Sequence, residues 1–294
     1  MVYTEFGKRE VLRAVDEVRD LEPTFAFPPV STIPHGVDTN LFRPDGINSS
    51  TMLPSLDRRV AKDRLFEGDV EYVDSFIVLN GNRNQPRKRI DVTIEGFALF
   101  AHDKPANVKL YLHMGMEDMG WNIATLARRH GVYDRLIVTS ESPSLPSVPV
   151  EQLNLIYNAC DVGLNTATGE GWGLVAFEHA ATGAAQVVPN HSACAELWNG
   201  SAVMLEPGVS FTNERTLTDA RLVAPRSVAD ALDALYADQD YLRAMSLTAY
   251  KLATQPTYSW DGIAERWDNV FMRLLEQDDP PAADSITGGM LSRC

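Results

Sequence analysis

The chain has little cysteine, no long apolar run and a deficit of positive charge, and each shortage removes a class of function. Only three of its 294 residues are cysteine. Cys160, Cys194 and Cys294 are widely spaced and odd in number, so neither a zinc knuckle nor a disulfide framework is expected. Cys160 and Cys194 read as small packing residues and Cys294 as a tail thiol. No stretch approaches the roughly 18 apolar residues of a spanning helix. Met1-Val-Tyr-Thr-Glu-Phe-Gly7 lacks the charged start and apolar centre of a secretory signal, and a cytoplasmic location is expected. With 26 basic against 40 acidic residues the net charge is −14. An extended nucleic-acid footprint is therefore not expected, and an anionic membrane would repel the chain. The Gly-x-Gly-x-x-Gly fingerprint is missing after the first predicted strand, which disfavours a dinucleotide-dependent oxidoreductase.

What remains is a globular composition, 45% hydrophobic and 22% charged, able to bury one large core or two modest ones. Apolar β-like runs alternate with helical patterns, as in parallel βαβ units. Strands are predicted at 75–80, 108–113, 136–139, 162–165, 186–188 and 202–205. Helices intervene at 89–102, 121–130, 149–159, 173–182 and 194–199. The pattern predicts an α/β fold with a Rossmann-like, doubly wound parallel sheet over 75–225. C-terminal helices follow over 226–277, at 227–237, 239–254 and 259–276. Residues 278–294 have no apolar period and read as a disordered tail. Residues 47–74 read as a loop or irregular excursion, and 10–21 as an amphipathic helix.

One stretch stands out. Glu170-Gly-Trp-Gly-Leu-Val-Ala-Phe-Glu178 sets two carboxylates across a glycine-flanked turn between a buried strand and a helix. The first turn of such a helix offers unpaired N–H groups and partial positive charge, which suits a diphosphate. At about 1.5 Å rise per residue the carboxylates can sit roughly 10 Å apart on either side of that anion. Each can accept hydrogen bonds from hydroxyls, one set on a sugar and the other on a ribose.

This stretch resembles the signature of retaining glycosyltransferases of family four, which have the GT-B fold. Ile33-Pro-His-Gly-Val-Asp-Thr-Asn-Leu-Phe-Arg-Pro44 is similar to that family's interdomain segment, and Asn80-Gly-Asn-Arg-Asn-Gln-Pro-Arg-Lys88 to its donor-phosphate loop. Asn158-Ala-Cys-Asp161 and Ala180-Ala-Thr-Gly183 also fall in order. The resemblance implies that 75–225 is the donor-binding half of a GT-B enzyme. It implies too that 1–46 holds a remnant of the acceptor domain and the interdomain linker. A short natural protein, one piece of a split enzyme and a truncated chain all fit this.

The resemblance further implies transfer of a sugar from a nucleotide sugar to an unknown acceptor (glycan, lipid or small molecule), with no cofactor or metal and with retention of configuration. The diphosphate would lie over Gly173, Leu174 and Val175, near Gly81. Glu178 would hold the ribose. Glu170, with the backbone of Gly171 to Gly173, would hold the sugar, and Val138 and Thr139 would meet the base. Arg83 and Lys88 would stabilise the departing diphosphate. Lys88 matches the family lysine, whereas Arg83 is displaced by one position and competes with Arg87 for the arginine role. Trp172 either packs beneath the sugar or braces the turn. His35 reads as a hinge residue, with Gly36 supplying a positive-φ turn and Asp38 a local cap. His113 and His191 read as a strand-end and a loop histidine. Glu196 lies near a second acidic family position or at an exposed helix start. Asp238 and Asp240 have the spacing of a metal pair but sit in a helical region, so no metal is assigned. A noncatalytic nucleotide-sugar-binding subunit, completed by a partner chain that supplies the acceptor domain, is the alternative.

Overall fold

The first helix, α1 (Glu5–Leu21), starts where the Thr4 hydroxyl accepts the Gly7 amide at 3.1 Å. The structure, a computed structural model, describes residues 1–48, 51, 53–214 and 218–278. The expected tail from 279 onward thus lies outside the described residues. α1 begins earlier than Glu10 because its first turn has partners. The Glu196 carboxylate accepts the amides of Glu5 (2.9 Å) and Phe6 (2.6 Å).

Residues 47–74 are not a plain loop. They hold a short hairpin, β1 (Ile47–Asn48) with β2 (Leu53–Pro54), and two helices, α2 (Arg59–Leu65) and α3 (Val70–Val73). α2 escapes a hydrophobic-period reading because one of its two buried positions, beside Ala61, is the lysine Lys62. Lys62 is buried, its Nζ donating to Asp161 Oδ2 at 2.8 Å and to the Ser75 carbonyl at 2.6 Å. The preceding Arg58 is buried too and donates to the Asn158 carbonyl at 3.0 Å. Long cationic side chains contribute apolar stems to a core while their heads find acceptors.

From residue 76 the sequence pattern is followed closely. Strands β3 (Phe76–Asn80), β4 (Val108–Leu112), β5 (Leu136–Val138), β6 (Val162–Leu164), β7 (Ala185–Pro189) and β8 (Val203–Leu205) form one parallel sheet. Helices α4 (Ile90–Ala101), α5 (Ile123–Arg129), α6 (Val150–Ala159), α7 (Leu174–Ala181) and α8 (Ser192–Leu197) alternate with them. An antiparallel hairpin that the sequence pattern did not reveal, β9 (Pro207–Thr212) with β10 (Asp219–Val223), then leaves the sheet. Three helices follow, α9 (Pro225–Ala237), α10 (Gln239–Ala253) and α11 (Trp260–Asp278). Asp238 caps α10, its carboxylate accepting the amides of Asp240 and Tyr241 at 3.0 and 2.9 Å. Among the described residues no helix is long and apolar enough to cross a membrane.

Side chains alternate across the sheet and are buried on both faces. Val78, Leu110 and Leu112 pack with α4, α5 and α9, whereas Ile77, Leu79 and Tyr111 pack with α6, α7 and α10. The strand order is β5-β4-β3-β6-β7-β8. The chain therefore winds outward from β3 in one direction and from β6 in the other. Loops leaving the carboxyl ends of β3 and β6 diverge, and a crevice opens between them. Gly81 follows β3, and Asn165 to Glu170 follow β6.

The linker is anchored on the turn that precedes α11. Val37 donates to the Tyr258 carbonyl at 2.7 Å. Asp38 makes the expected local cap, accepting the Asn40 amide at 3.0 Å. Gly36, however, is not among the glycines with positive φ. It is small because the Trp260 ring lies against it, and an added Cβ would come within 2.6 Å of that ring. Gly36→Ala should therefore lower unfolding free energy by about 1–3 kcal/mol, as overpacking does, in urea titrations against wild type.

Candidate functional site

The site is built from two clusters flanking the start of α7. In the first, Glu170 is only 7% exposed and Lys88 8%. The Lys88 ammonium donates to Glu170 Oε1 and, at 2.7 Å, to Asn82 Oδ1. Arg87 donates to Glu170 Oε2 at 3.2 Å and to the Gly169 carbonyl at 3.1 Å. Asn165 Nδ2 adds a donor to Glu170 at 3.3 Å. Burial alone would raise the Glu170 pKa, but Lys88 and then Arg87 outweigh it and hold the carboxyl below its ordinary value. Burial lowers the Lys88 pKa, with Arg87 adding to the effect and Glu170 opposing it.

Polar residues that the motif does not include hold this cluster in place. Asn80, at the end of β3, accepts from the Asn82 amide and side chain, both at 3.0 Å, and donates to Thr93 at 2.9 Å. Thr93 meets Thr166 at 2.7 Å, and the Thr166 hydroxyl lies 3.0 Å from the carbonyls of Lys88 and Arg89. The loops after β3 and β6 are thereby tied together. On the other side, the Glu170 amide donates to Ser192 Oγ at 3.0 Å, and the Glu170 carbonyl accepts from Ala193 at 3.2 Å. Ser192 adopts φ 52, a left-handed conformation uncommon for a residue other than glycine. Asparagine repetition in Asn80-Gly-Asn-Arg-Asn84 was the available signal for Asn80 and Asn82; Ser192 carried none.

The second cluster centres on Glu178. Its Oε2 accepts the Tyr157 hydroxyl at 3.2 Å. Burial raises its pKa from 4.5 to about 7, against the opposing effect of that hydrogen bond. Gly81 abuts the same region: an added Cβ would lie 3.1 Å from Val175 Cγ1 and 3.9 Å from the Tyr157 hydroxyl. Between the clusters, α7 opens on Gly173 at φ 96 with no side-chain cap, leaving its first amides available. Cβ atoms added at Gly171 or Gly173 would meet open space.

The remaining expected residues are placed differently. Arg83 is not brought to Glu170; it is paired with Asp118, at 2.7 and 3.1 Å, on the exposed side of its loop. The one-residue displacement turns it outward, and Arg87 takes the place beside Lys88. Trp172 faces inward, 4.8 Å from the near-parallel ring of Phe177 and edge-on to Tyr258, so it braces the turn. Val138 and Thr139 end β5, two strands from β3, where Thr139 Oγ1 meets His113 Nδ1 at 2.8 Å. His35 is half-buried 4.1 Å from the Tyr3 ring and 6.0 Å from that of Trp260. His191 is buried, and burial followed by the charge of Arg221 lowers its pKa to about 4.

An open crevice of about 1290 Å³ lies before the first cluster. Arg87, Gly169, Glu170 and Gly171 form its floor, α1 one wall, and Asp219 and Arg221 of the β9–β10 hairpin the other. The hairpin is held there by the Arg221 amide, which donates to the Thr168 carbonyl at 3.2 Å.

Glu178 makes this site visible in stability. Its folded-state pKa lies above the ordinary value, so its contribution is fully present below about pH 4.5 and is lost as pH rises through about 7. Glu178→Gln should remove that loss. In urea titrations the variant should gain on wild type between about pH 5 and about pH 8, by on the order of 2–3 kcal/mol.

No family model matches the chain. A curated relative, the D-inositol 3-phosphate glycosyltransferase of Nocardia farcinica, is 26% identical over 279 residues, covering 90% of this chain and 54% of that protein. The chain thus spans about half the length of the curated relative it matches. The sucrose-phosphate synthase of Thermosynechococcus elongatus superposes with a TM-score of 0.69 at 18% identity, over 94% of this chain and 58% of its own. Anabaena HepE, solved in complex with UDP and glucose, gives 0.61 at 17% identity, over 83% and 57%. Sequence signature, curated relative and fold point the same way: the chain is similar to glycosyltransferases and has the Rossmann-like fold found in one half of GT-B enzymes.

Proposed function

We propose that this chain is the donor side of a retaining, metal-independent glycosyltransferase that takes a nucleoside-diphosphate sugar. The observation that carries the reading is the pairing of Lys88 and Arg87 with Glu170 in the switch-point crevice, beside the uncapped start of α7. Cations and helix-terminal amides together suit a diphosphate. The UDP and glucose of the HepE complex, on a protein of the same fold, support a nucleotide sugar as the ligand.

In this reading the diphosphate lies over Gly173 to Val175. Glu178 accepts the ribose hydroxyls, Glu170 those of the sugar, and Val138 and Thr139 line the base. As the bond from the anomeric carbon to the diphosphate breaks, its electron pair passes to the phosphate oxygen. Lys88, Arg87 and the α7 dipole stabilise the charge that appears there. The acceptor hydroxyl attacks from the same face and gives its proton to the leaving oxygen, which retains the configuration. Arg83, engaged by Asp118, has no part in this.

The acceptor is a glycan, lipid or small molecule, placed by a second domain. The described residues contain one six-stranded sheet, and α11 exposes Phe271, Met272, Leu274 and Leu275. That exposure favours a companion reading in which a partner chain covers the helix and supplies the acceptor side. In that reading the partner supplies the proximity to a bound donor that transfer needs.

Calorimetric titration with UDP, GDP, ADP and their glucose conjugates tests the donor site. One nucleotide series should bind saturably, and Lys88→Met should weaken it by roughly tenfold or more, as loss of a charged hydrogen-bond partner does. Affinity should rise with pH through about 7, because ionised Glu178 is the better acceptor for ribose hydroxyls. Absence of binding to every nucleotide by folded protein would overturn the reading.

A further inference from the structure

Glu170 poses a problem for the site it belongs to. The cations best placed to hold a diphosphate, Lys88 and Arg87, are already engaged, both by its carboxylate. The arrangement is built rather than incidental. Lys88 is buried against Asn82 and Glu170, and the Glu170 backbone is pinned on both sides by Ser192 and Ala193. A phosphate arriving at Lys88 meets a like charge on the same ammonium. In a partly desolvated crevice that repulsion is not screened as it would be in water.

We propose that Glu170 is an internal competitor for the phosphate anion: its carboxylate holds Lys88 and Arg87 until a donor diphosphate displaces it, and the freed carboxylate then takes the sugar hydroxyls. This rests on the donor reading above and adds a specificity to it. A complete sugar nucleotide repays displacement by giving Glu170 new hydroxyl partners. The product nucleoside diphosphate, which has no sugar, leaves the displaced carboxylate without them. Glu170 therefore disfavours product relative to donor, and its return to Lys88 accompanies product release. Its removal strengthens binding of the product but not of the donor, for which the lost competition and the lost hydroxyl contacts offset one another, a selectivity that an ordinary contact residue does not produce.

The test is calorimetry of wild type, Glu170→Gln and the double variant Glu170→Gln with Lys88→Met, titrated with inorganic pyrophosphate, UDP and UDP-glucose. Glutamine keeps an oxygen for Lys88 but removes the competing charge. Glu170→Gln should bind pyrophosphate and UDP roughly tenfold more tightly than wild type, and the ratio of UDP-glucose to UDP affinity should fall by a similar factor. Adding Lys88→Met should abolish the gain. Unchanged or weaker pyrophosphate binding by Glu170→Gln, or a gain that survives loss of Lys88, overturns the proposal. If the variant is too unstable for calorimetry, its melting temperature with and without pyrophosphate is the readout. The rise should exceed that of wild type, and an equal or smaller rise overturns the proposal. The two readings separate cleanly. A pyrophosphate gain with no preference for any nucleotide upholds the competitor and sinks the donor site. Wild-type binding of UDP-glucose without that gain does the reverse.

Discussion

A buried ammonium needs an anion, and much of the crevice is arranged around that need. Lys88 reaches the end of the sheet from the loop after β3, where its head is removed from most water. An ion in that position is costly unless its donors are filled with good geometry. Glu170 supplies the charge and Asn82 a neutral acceptor. Asn80, Thr93 and Thr166 then fix the two loops that carry these groups. Ordering these polar groups lowers the cost of holding two opposite charges together, and it keeps both of them facing an opening that a ligand can enter.

The fold supplies that opening through strand order alone. A sheet wound outward from its centre in both directions must part its loops over the central pair, and β3 and β6 are that pair. The residues with chemistry are those that leave the carboxyl ends of these strands. They owe their proximity to topology, since Lys88 and Glu170 are 82 positions apart in the chain. Glu178 is different. It is set by helix geometry within α7 and by Tyr157 from α6, so its environment depends on helix packing rather than on loop tethering.

Most of the sheet was legible because strands buried on both faces read as continuous apolar runs between helical periods, and β3 to β8 and α4 to α8 do so. The hairpin β9–β10 was hidden although its strands alternate: Val209 and Phe211 lie opposite Leu222 and Ala220 on one face, but that face is short and its β9 half is exposed. α2 was hidden for the opposite reason, since its inward residues include a lysine. In the site, Glu170, Glu178 and Lys88 were legible through their motifs, whereas the choice between Arg83 and Arg87 was not. That choice turns on which side of a short loop each guanidinium leaves, and Asp118, 35 positions away from Arg83, decides it. Ser192 and Tyr157 act on the site through tertiary hydrogen bonds, to the Glu170 amide and the Glu178 carboxylate, which leave no trace in spacing.

One small helix joins the site to the beginning of the chain. α8 touches the Glu170 loop through Ser192 at its first residue, and it holds the leading end of α1 through Glu196 near its last. These are hydrogen bonds at opposite ends of a six-residue rod. A rigid-body tilt of α1 relative to the sheet must therefore either break the Glu196 contacts or drag α8, and with it the amide that Glu170 offers to Ser192. The structure contains a lever, with its long arm on the segment that precedes the sheet and its short arm on the residue that guards the cations.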